Sequence, residues 1–388
     1  MKVKKVGILT GGGDCPGLNA VIRGIVTRLN NAGVECVGIM EGWKGLIENM
    51  TMAIDDKLVD PIIAEGGTIL GSSRTNPYKG WDFVAADKKP AAVKKCVENY
   101  KKLGLDALIP LGGDDTLEIA YYLARDEGLN VVGCPKTIDN DVRETDYTYG
   151  FWSAVEITTE YMDRLKTTAR SHRRAIVMEC MGRHAGWIAA FAGLAGGADY
   201  IAVPEKEVHI DEICKACTDS RAKGKEYNLI VVGEGAVITG INDKKTLEEK
   251  AKTVTAVEAV LKEKGLESPY GKSSRDNFGN PKIKMGELAE AVANAIEKKT
   301  KIETRFVAPA HLQRGGTTSA YDRIIGTQFG VRAADAVLNG DFNTFVVMKG
   351  TAMKPIPMKG VLREKQTEPK LYKLLDLDFL ELAKVFFG

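Results

Sequence analysis

The sequence predicts an α/β protein built from two Rossmann-like lobes with mostly parallel sheets, and three observations carry that expectation. Short β-branched, apolar runs alternate with helix-period patterns along most of the 388 residues. The runs are continuously apolar, as strands buried on both faces are, and do not alternate polar with apolar. They are also too many for one comfortable sheet, so a second is expected.

Taken in order, Val6–Thr10 reads as a strand, and Leu18 to Leu29 repeats apolar residues at helical spacing. Val34–Met40 is a strand again. The alternation resumes at Ala107–Leu111, Val131–Cys134, Ala175–Cys180, Tyr200–Val203, Leu229–Val232, Phe306–Ala308 and Thr344–Met348. A long helical pattern, Ala154 to Thr167, begins just after Gly150 and marks the expected passage between lobes. One lobe is expected over 1–150 with 313–365, and the other over 151–312. The stretch Gly265 to Lys284 is polar and turn-rich, a surface excursion. Over 366–388 the residues Leu374, Leu375, Leu377, Phe379, Leu382 and Val385 suggest an amphipathic helix docking on the body. No repeat of fixed short period is visible.

With 44% apolar and 27% charged residues and a formal net charge of +2, the composition is that of a soluble globular protein. It offers nothing to nucleic acid or a membrane surface. The apolar runs are short and the N-terminus enters a strand directly, so no signal peptide or spanning helix is expected. Cys15, Cys36, Cys96, Cys134, Cys180, Cys214 and Cys217 form an odd, unpatterned set that fits the reducing cytoplasm. Cys214 and Cys217 share a helical stretch but have no second Cys or His pair near them, which argues against a metal.

Three turns carry chemistry. Thr10-Gly11-Gly12-Gly13-Asp14-Cys15-Pro16-Gly17 follows the first strand and opens a helix. Glycines there let backbone N–H groups close on a phosphate at a helix N-terminus. The turn lacks the Gly-Lys-Ser/Thr of a Walker loop and the spacing of a dinucleotide fingerprint, and a plain tight turn is the alternative. Gly112-Gly113-Asp114-Asp115-Thr116 is a second strand-to-helix turn. One of its carboxylates suits a magnesium ligand; the other needs a separate reason, unless one of the pair caps the helix. In the third, Pro135-Lys136-Thr137-Ile138-Asp139-Asn140-Asp141-Val142, the composition is common for turns. It also offers a cation for a phosphoryl donor, a base for an acceptor hydroxyl and acidic support for Mg²⁺. All three turns fall at carboxyl ends of expected strands, where open α/β sheets bind ligands.

These turns, together with Gly-Ser-Ser-Arg at 71–74, Met-Gly-Arg at 181–183, Gly-Glu-Gly at 233–235 and His-Leu-Gln-Arg-Gly-Gly at 311–316, closely resemble the 6-phosphofructokinases. The resemblance runs from about residue 3 to 350, and the excursion and tail match the longer members. It implies a donor lobe over 1–150 and 313–365 and a fructose 6-phosphate lobe over 151–312. Asp139 would take the proton of the fructose 1-hydroxyl, flanked by Thr137 and Asp141, the latter supporting acceptor or metal. Asp114 would bind Mg²⁺. Gly13 and the Gly112–Gly113 turn would hold the donor phosphate, with Arg74 as a clamp on the transferred group.

On the sugar side the resemblance implies Met181, Gly182 and Arg183 against the sugar, Glu234 accepting its hydroxyls, and His311 with Arg314 at the 6-phosphate. Arg174 and Arg305 match arginines that reach in from a neighbouring subunit, so a homodimer or homotetramer is expected. Read as residues alone, Arg74 has a solvated loop arginine as its alternative, and His311 a satisfied, partly buried histidine. His172, His184 and His209 show no ligand spacing and read as structural.

ATP-using members typically carry glycine where Asp115 stands, and often where Lys136 stands. The resemblance therefore implies the pyrophosphate-dependent branch and a reversible reaction. Electrostatics agrees: a carboxylate about 4 Å from the ATP α-phosphate costs about 4 kcal/mol at an effective dielectric near 20. Even halved by screening, that exceeds the about 1.4 kcal/mol that is tenfold in affinity. Lys136 would stabilise the leaving phosphate. The alternatives are an ATP-dependent or dual-donor phosphofructokinase, a NAD- or lipid-kinase relative, and a non-catalytic regulatory subunit of the same fold. Met-Gly-Arg and His-Leu-Gln-Arg argue against the kinase relative, and the presence of Asp114, Asp139 and Arg183 against the silent subunit. Effector control is not expected: regulated members carry two arginines four residues apart on the first helix, and here Thr27 follows Arg23. Lys223 and Lys225 are the charges left for it.

Overall fold

Continuously apolar runs become parallel strands, as burial of both faces requires. The computed structural model describes residues 3–80, 89–241, 285–366 and 368–387, and the excursion expected at 265–284 lies outside them. In chain order the strands are β1 (Lys5–Thr10), β2 (Glu35–Ile39), β3 (Thr51–Ala53), β4 (Ala107–Gly112), β5 (Val132–Pro135), β6 (Ala175–Cys180) and β7 (Tyr200–Ala202). They continue with β8 (Val208–His209), β9 (Asn228–Gly233), β10 (Ile238–Thr239), β11 (Thr304–Val307), β12 (Thr344–Lys349) and β13 (Ala352–Pro357). The α-helices are α1 (Leu18–Asn30), α2 (Trp43–Glu48), α3 (Asp56–Val59), α4 (Ala91–Lys102), α5 (Asp114–Glu127) and α6 (Phe151–His172). After these come α7 (Trp187–Ala195), α8 (Ile210–Ala222), α9 (Glu287–Thr300), α10 (Ala320–Asn339) and α11 (Leu377–Ala383).

Two compact units result. Unit 1 is Met1–Ile138, Val142–Ser153 and Arg314–Lys370; unit 2 is Asp139–Asp141, Ala154–Gln313 and Leu371–Gly388. In unit 1 one sheet runs β13-β12-β5-β4-β1-β2-β3. Its inner pairs are parallel, and the edge pairs β2–β3 and β12–β13 are antiparallel. The strand order reverses between β1 and β4, which is the topological switch point of the sheet. Helices α1 and α10 pack closely because Gly24 stands at their crossing. A Cβ there would come 2.7 Å from the carbonyl oxygen of Thr327.

In unit 2 four parallel strands run β11-β6-β9-β7, with a separate parallel pair, β10-β8. Ala175, Val177, Ile230 and Val232 of the sheet are buried with Ile213 of α8 and Val292 and Ile296 of α9 in one apolar cluster. Among the described residues no helix is long and apolar enough to cross a membrane. All seven cysteines are buried and free.

Two elements differ from expectation. β13 forms a hairpin with β12 although Pro355 and Pro357 lie in it; proline is tolerated because β13 is the sheet edge. The C-terminal helix is only Leu377–Ala383 with a 3₁₀ turn over Lys384–Phe386. Before it the backbone is held extended, with Lys373 N–H donating to Asp141 O at 2.8 Å and Leu375 N–H to Glu205 Oε1 at 2.9 Å.

Candidate active site

Unit 1 brings the first two glycine turns to adjacent strands. β1 and β4 pair in register from Val6–Ala107 to Thr10–Leu111, so Gly11–Gly17 and Gly112–Thr116 leave the same sheet end at its switch point. Gly11 N–H donates to Leu111 O at 2.9 Å, which binds the turns together. Lys136, one residue past β5, joins them: its N–H donates to Gly112 O at 2.9 Å and its ammonium to the carbonyl of Gly13. Arg314 reaches the same turn, Nη1 donating to Asp14 O at 3.1 Å. A Cβ on Gly13 would lie 3.1 Å from that guanidinium, so glycine here lets a cation stand against backbone. Two almost fully buried cations therefore flank one glycine-rich helix start. Arg314 is expected with His311 at the sugar's 6-phosphate, and within unit 1 its guanidinium lies at the first turn.

The residue at the helix N-cap of α5 is Gly113, which has no side chain to cap with. Neither Asp114 nor Asp115 occupies the N-cap position itself. Both lie in the first turn, where the helix dipole favours negative charge. Asp115 Oδ1 is held by the ammonium of Lys370, and both side chains are mostly buried. Arg74 is exposed on a loop that is tied to the first turn: Gly12 N–H donates to Ser73 O at 3.1 Å, and Ser72 Oγ donates to Gly12 O. Thr137 O accepts from Thr148 Oγ1 at 2.7 Å.

Among the described residues no cluster of three or more His, Cys, Asp or Glu side chains is arranged to hold a metal alone. A single first-turn carboxylate such as Asp114 nevertheless fits Mg²⁺. That ion keeps several waters and takes its remaining ligands from substrate phosphates.

Within unit 2 the candidate residues gather around Glu234, one residue past β9. Its Oε1 accepts the N–H groups of Gly182 at 3.1 Å and Arg183 at 2.8 Å, holding the Met181–Arg183 turn that ends β6. Gly182 is at φ 144 and Arg183 at φ 49, a bent course that this carboxylate fixes. Burial, and then the charge of Asp139, push the Glu234 carboxyl up to about 7. Asp139 is buried, and Asp141 is tied through its carbonyl to Lys373. Gln313, unremarked in the sequence except as part of His-Leu-Gln-Arg, is fully buried. It accepts Met181 N–H at 2.9 Å and donates to Thr158 Oγ1 at 2.6 Å. His311 is exposed, so it is not a buried structural histidine.

Of the other histidines, His209 caps α8, Nδ1 accepting Asp211 N–H at 3.3 Å, His184 is buried 4.9 Å from the Tyr372 ring, and His172 is exposed. Arg174 and Arg305 both pair with Glu303, at 2.9 and 2.6 Å, along the edge strand β11. Arg23 pairs with Asp60 at 3.3 Å and Lys225 with Asp199 at 2.9 Å, so these two cations have partners inside the chain.

The family model described as Phosphofructokinase matches residues 5–337. The pyrophosphate--fructose 6-phosphate 1-phosphotransferase of Dictyoglomus thermophilum is 43% identical over 388 residues, covering 100% of both chains. The ATP-dependent 6-phosphofructokinase of Corynebacterium efficiens is also 43% identical, over 358 residues, covering 92% of this chain and 93% of its own. The crystal structure of the pyrophosphate-dependent phosphofructokinase from Marinobacter aquaeolei superposes with a TM-score of 0.73 at 19% identity, over 100% of this chain and 92% of that one. At that identity the likeness speaks for the fold alone.

Proposed function

The chain belongs to the phosphofructokinase family, and from that premise we propose that it moves a phosphoryl group between pyrophosphate and the 1-hydroxyl of fructose 6-phosphate. The products are fructose 1,6-bisphosphate and inorganic phosphate, and the reaction runs in both directions. Relatives named for pyrophosphate cover 99–100% of the chain at 42–43% identity, and one named for ATP stands at 43% over 92% of it. The observation that carries the donor assignment is Asp115: a carboxylate in the first turn of α5, paired with Lys370, at a turn where Lys136 and Arg314 supply buried cations. A pyrophosphate finds cations and backbone N–H groups there, whereas the α-phosphate of a nucleotide would meet a carboxylate.

In this reading Gly13, Gly112 and Gly113 hold the donor with Lys136, and Arg74 clamps the group in transit. Asp139 accepts the proton of the 1-hydroxyl as its oxygen bonds to phosphorus. The bridging P–O bond breaks, and Lys136 steadies the departing phosphate. Thr137 and Asp141 flank the base. Met181, Gly182, Arg183, Glu234, His311 and Arg314 receive the sugar phosphate. Mg²⁺, when bound through Asp114 and the donor oxygens, spreads the charge of the phosphates. Asp139 follows Ile138 directly in the chain, so the base is covalently fixed to the strand end that carries Lys136.

The reverse direction tests the proposal. Fructose 1,6-bisphosphate with inorganic phosphate and Mg²⁺ should yield fructose 6-phosphate and pyrophosphate. Failure to form pyrophosphate, with ATP formed from ADP instead, would reject it.

A further inference from the structure

The segment before the tail of unit 1 lies along one face of α5. Arg363 grips Glu118 bidentately, Nε to Oε1 at 2.7 Å and Nη2 to Oε2 at 2.6 Å. Glu364 accepts Tyr121 Oη at 2.7 Å and Arg125 Nη1 at 3.0 Å. At its other end Lys370 pairs with Asp115. The positions 115, 118, 121 and 125 recur at helical spacing, so the segment runs antiparallel to the helix along one stripe and delivers Lys370 to its first turn. The Arg363–Glu118 pair is the more deeply buried anchor, and the Lys370–Asp115 side chains are 12% and 20% exposed.

A carboxylate at the donor turn repels pyrophosphate as well as a nucleotide. Something must let Asp115 discriminate without excluding the donor itself. We propose that Lys370 is the positioning residue for donor choice: it fixes the Asp115 carboxylate and offsets its charge, so that pyrophosphate is tolerated where a nucleotide α-phosphate is not. This rests on the pyrophosphate reading above. It has a further consequence. Replacing Asp115 by glycine leaves the Lys370 ammonium beside the donor turn, where it can serve a nucleotide phosphate.

The test compares the full-length wild type with K370M, K370R, D115G and D115G/K370M, each with fructose 6-phosphate, Mg²⁺ and either pyrophosphate or ATP. K370M should raise KM for pyrophosphate about tenfold, or about 1.4 kcal/mol, with kcat little changed. K370R should restore most of that loss, and melting temperatures should show every variant folded. D115G should gain ATP activity, and D115G/K370M should lose about tenfold of that gain. An unchanged KM for pyrophosphate in K370M, or equal ATP use by D115G and D115G/K370M, would overturn the proposal. A wild type that ignored pyrophosphate would overturn the functional reading and this proposal with it, and that result is read separately from the variants.

Discussion

Glu234 shows at the scale of one residue how the site trades stability for arrangement. Its carboxyl sits at about 7 in the fold, against 4.5 ordinarily, because it is buried beside Asp139. A carboxyl raised on folding favours the fold while protonated, so its contribution is whole below about pH 4.5 and is lost as pH rises through 7. The loss is at most about 3 kcal/mol. Glu234→Gln keeps an oxygen for the N–H groups of Gly182 and Arg183 but does not titrate. Its melting temperature should therefore gain on the wild type between pH 5 and pH 8; a difference independent of pH would refute this origin of the shift. Asp115 and Lys136 were legible in the sequence because their identities were anomalous at a phosphate turn. Gln313 and Lys370 were not. Each acts through a partner far away in sequence, Met181 and Asp115, and no local pattern encodes such pairings.

At the scale of elements, Asp322 ties the start of α10 to the start of α6. Its Oδ2 accepts both Ser153 N–H and Ser153 Oγ at 2.7 Å, and its own N–H meets the capping Ser319 Oγ at 3.2 Å. Asp322→Ala leaves a buried N–H without its acceptor and should cost about 2–4 kcal/mol. Asp322→Asn, which keeps an acceptor, should cost clearly less. Denaturant midpoints would check this, and equal losses would show that packing, not hydrogen bonding, is what Asp322 supplies. Central strands were readable because burial on both faces demands continuous apolar runs. β13 was not, since its prolines and exposed edge leave no such run. The tail was over-read as one long helix because apolar spacing says nothing of where backbone N–H groups go. Those of Lys373 and Leu375 are already bound to Asp141 and Glu205.

For the whole molecule, the prediction is that a second chain completes the sugar site. Arg305 of edge strand β11 and Arg174, just before the neighbouring β6, both pair with Glu303, a site at the sheet edge that a second copy could share. If the partner subunit supplies them, co-expressed D139S and R305A chains should regain activity that neither has alone. One site in each mixed pair then combines an intact base with an intact arginine. Mixed oligomers without recovery would place both groups in one chain. The central claim is the donor, and the most direct measurement is the forward rate with fructose 6-phosphate and Mg²⁺ at equal concentrations of pyrophosphate and ATP. The charge at Asp115 predicts fructose 1,6-bisphosphate from pyrophosphate about thirtyfold faster or more; comparable rates with the two donors would contradict it.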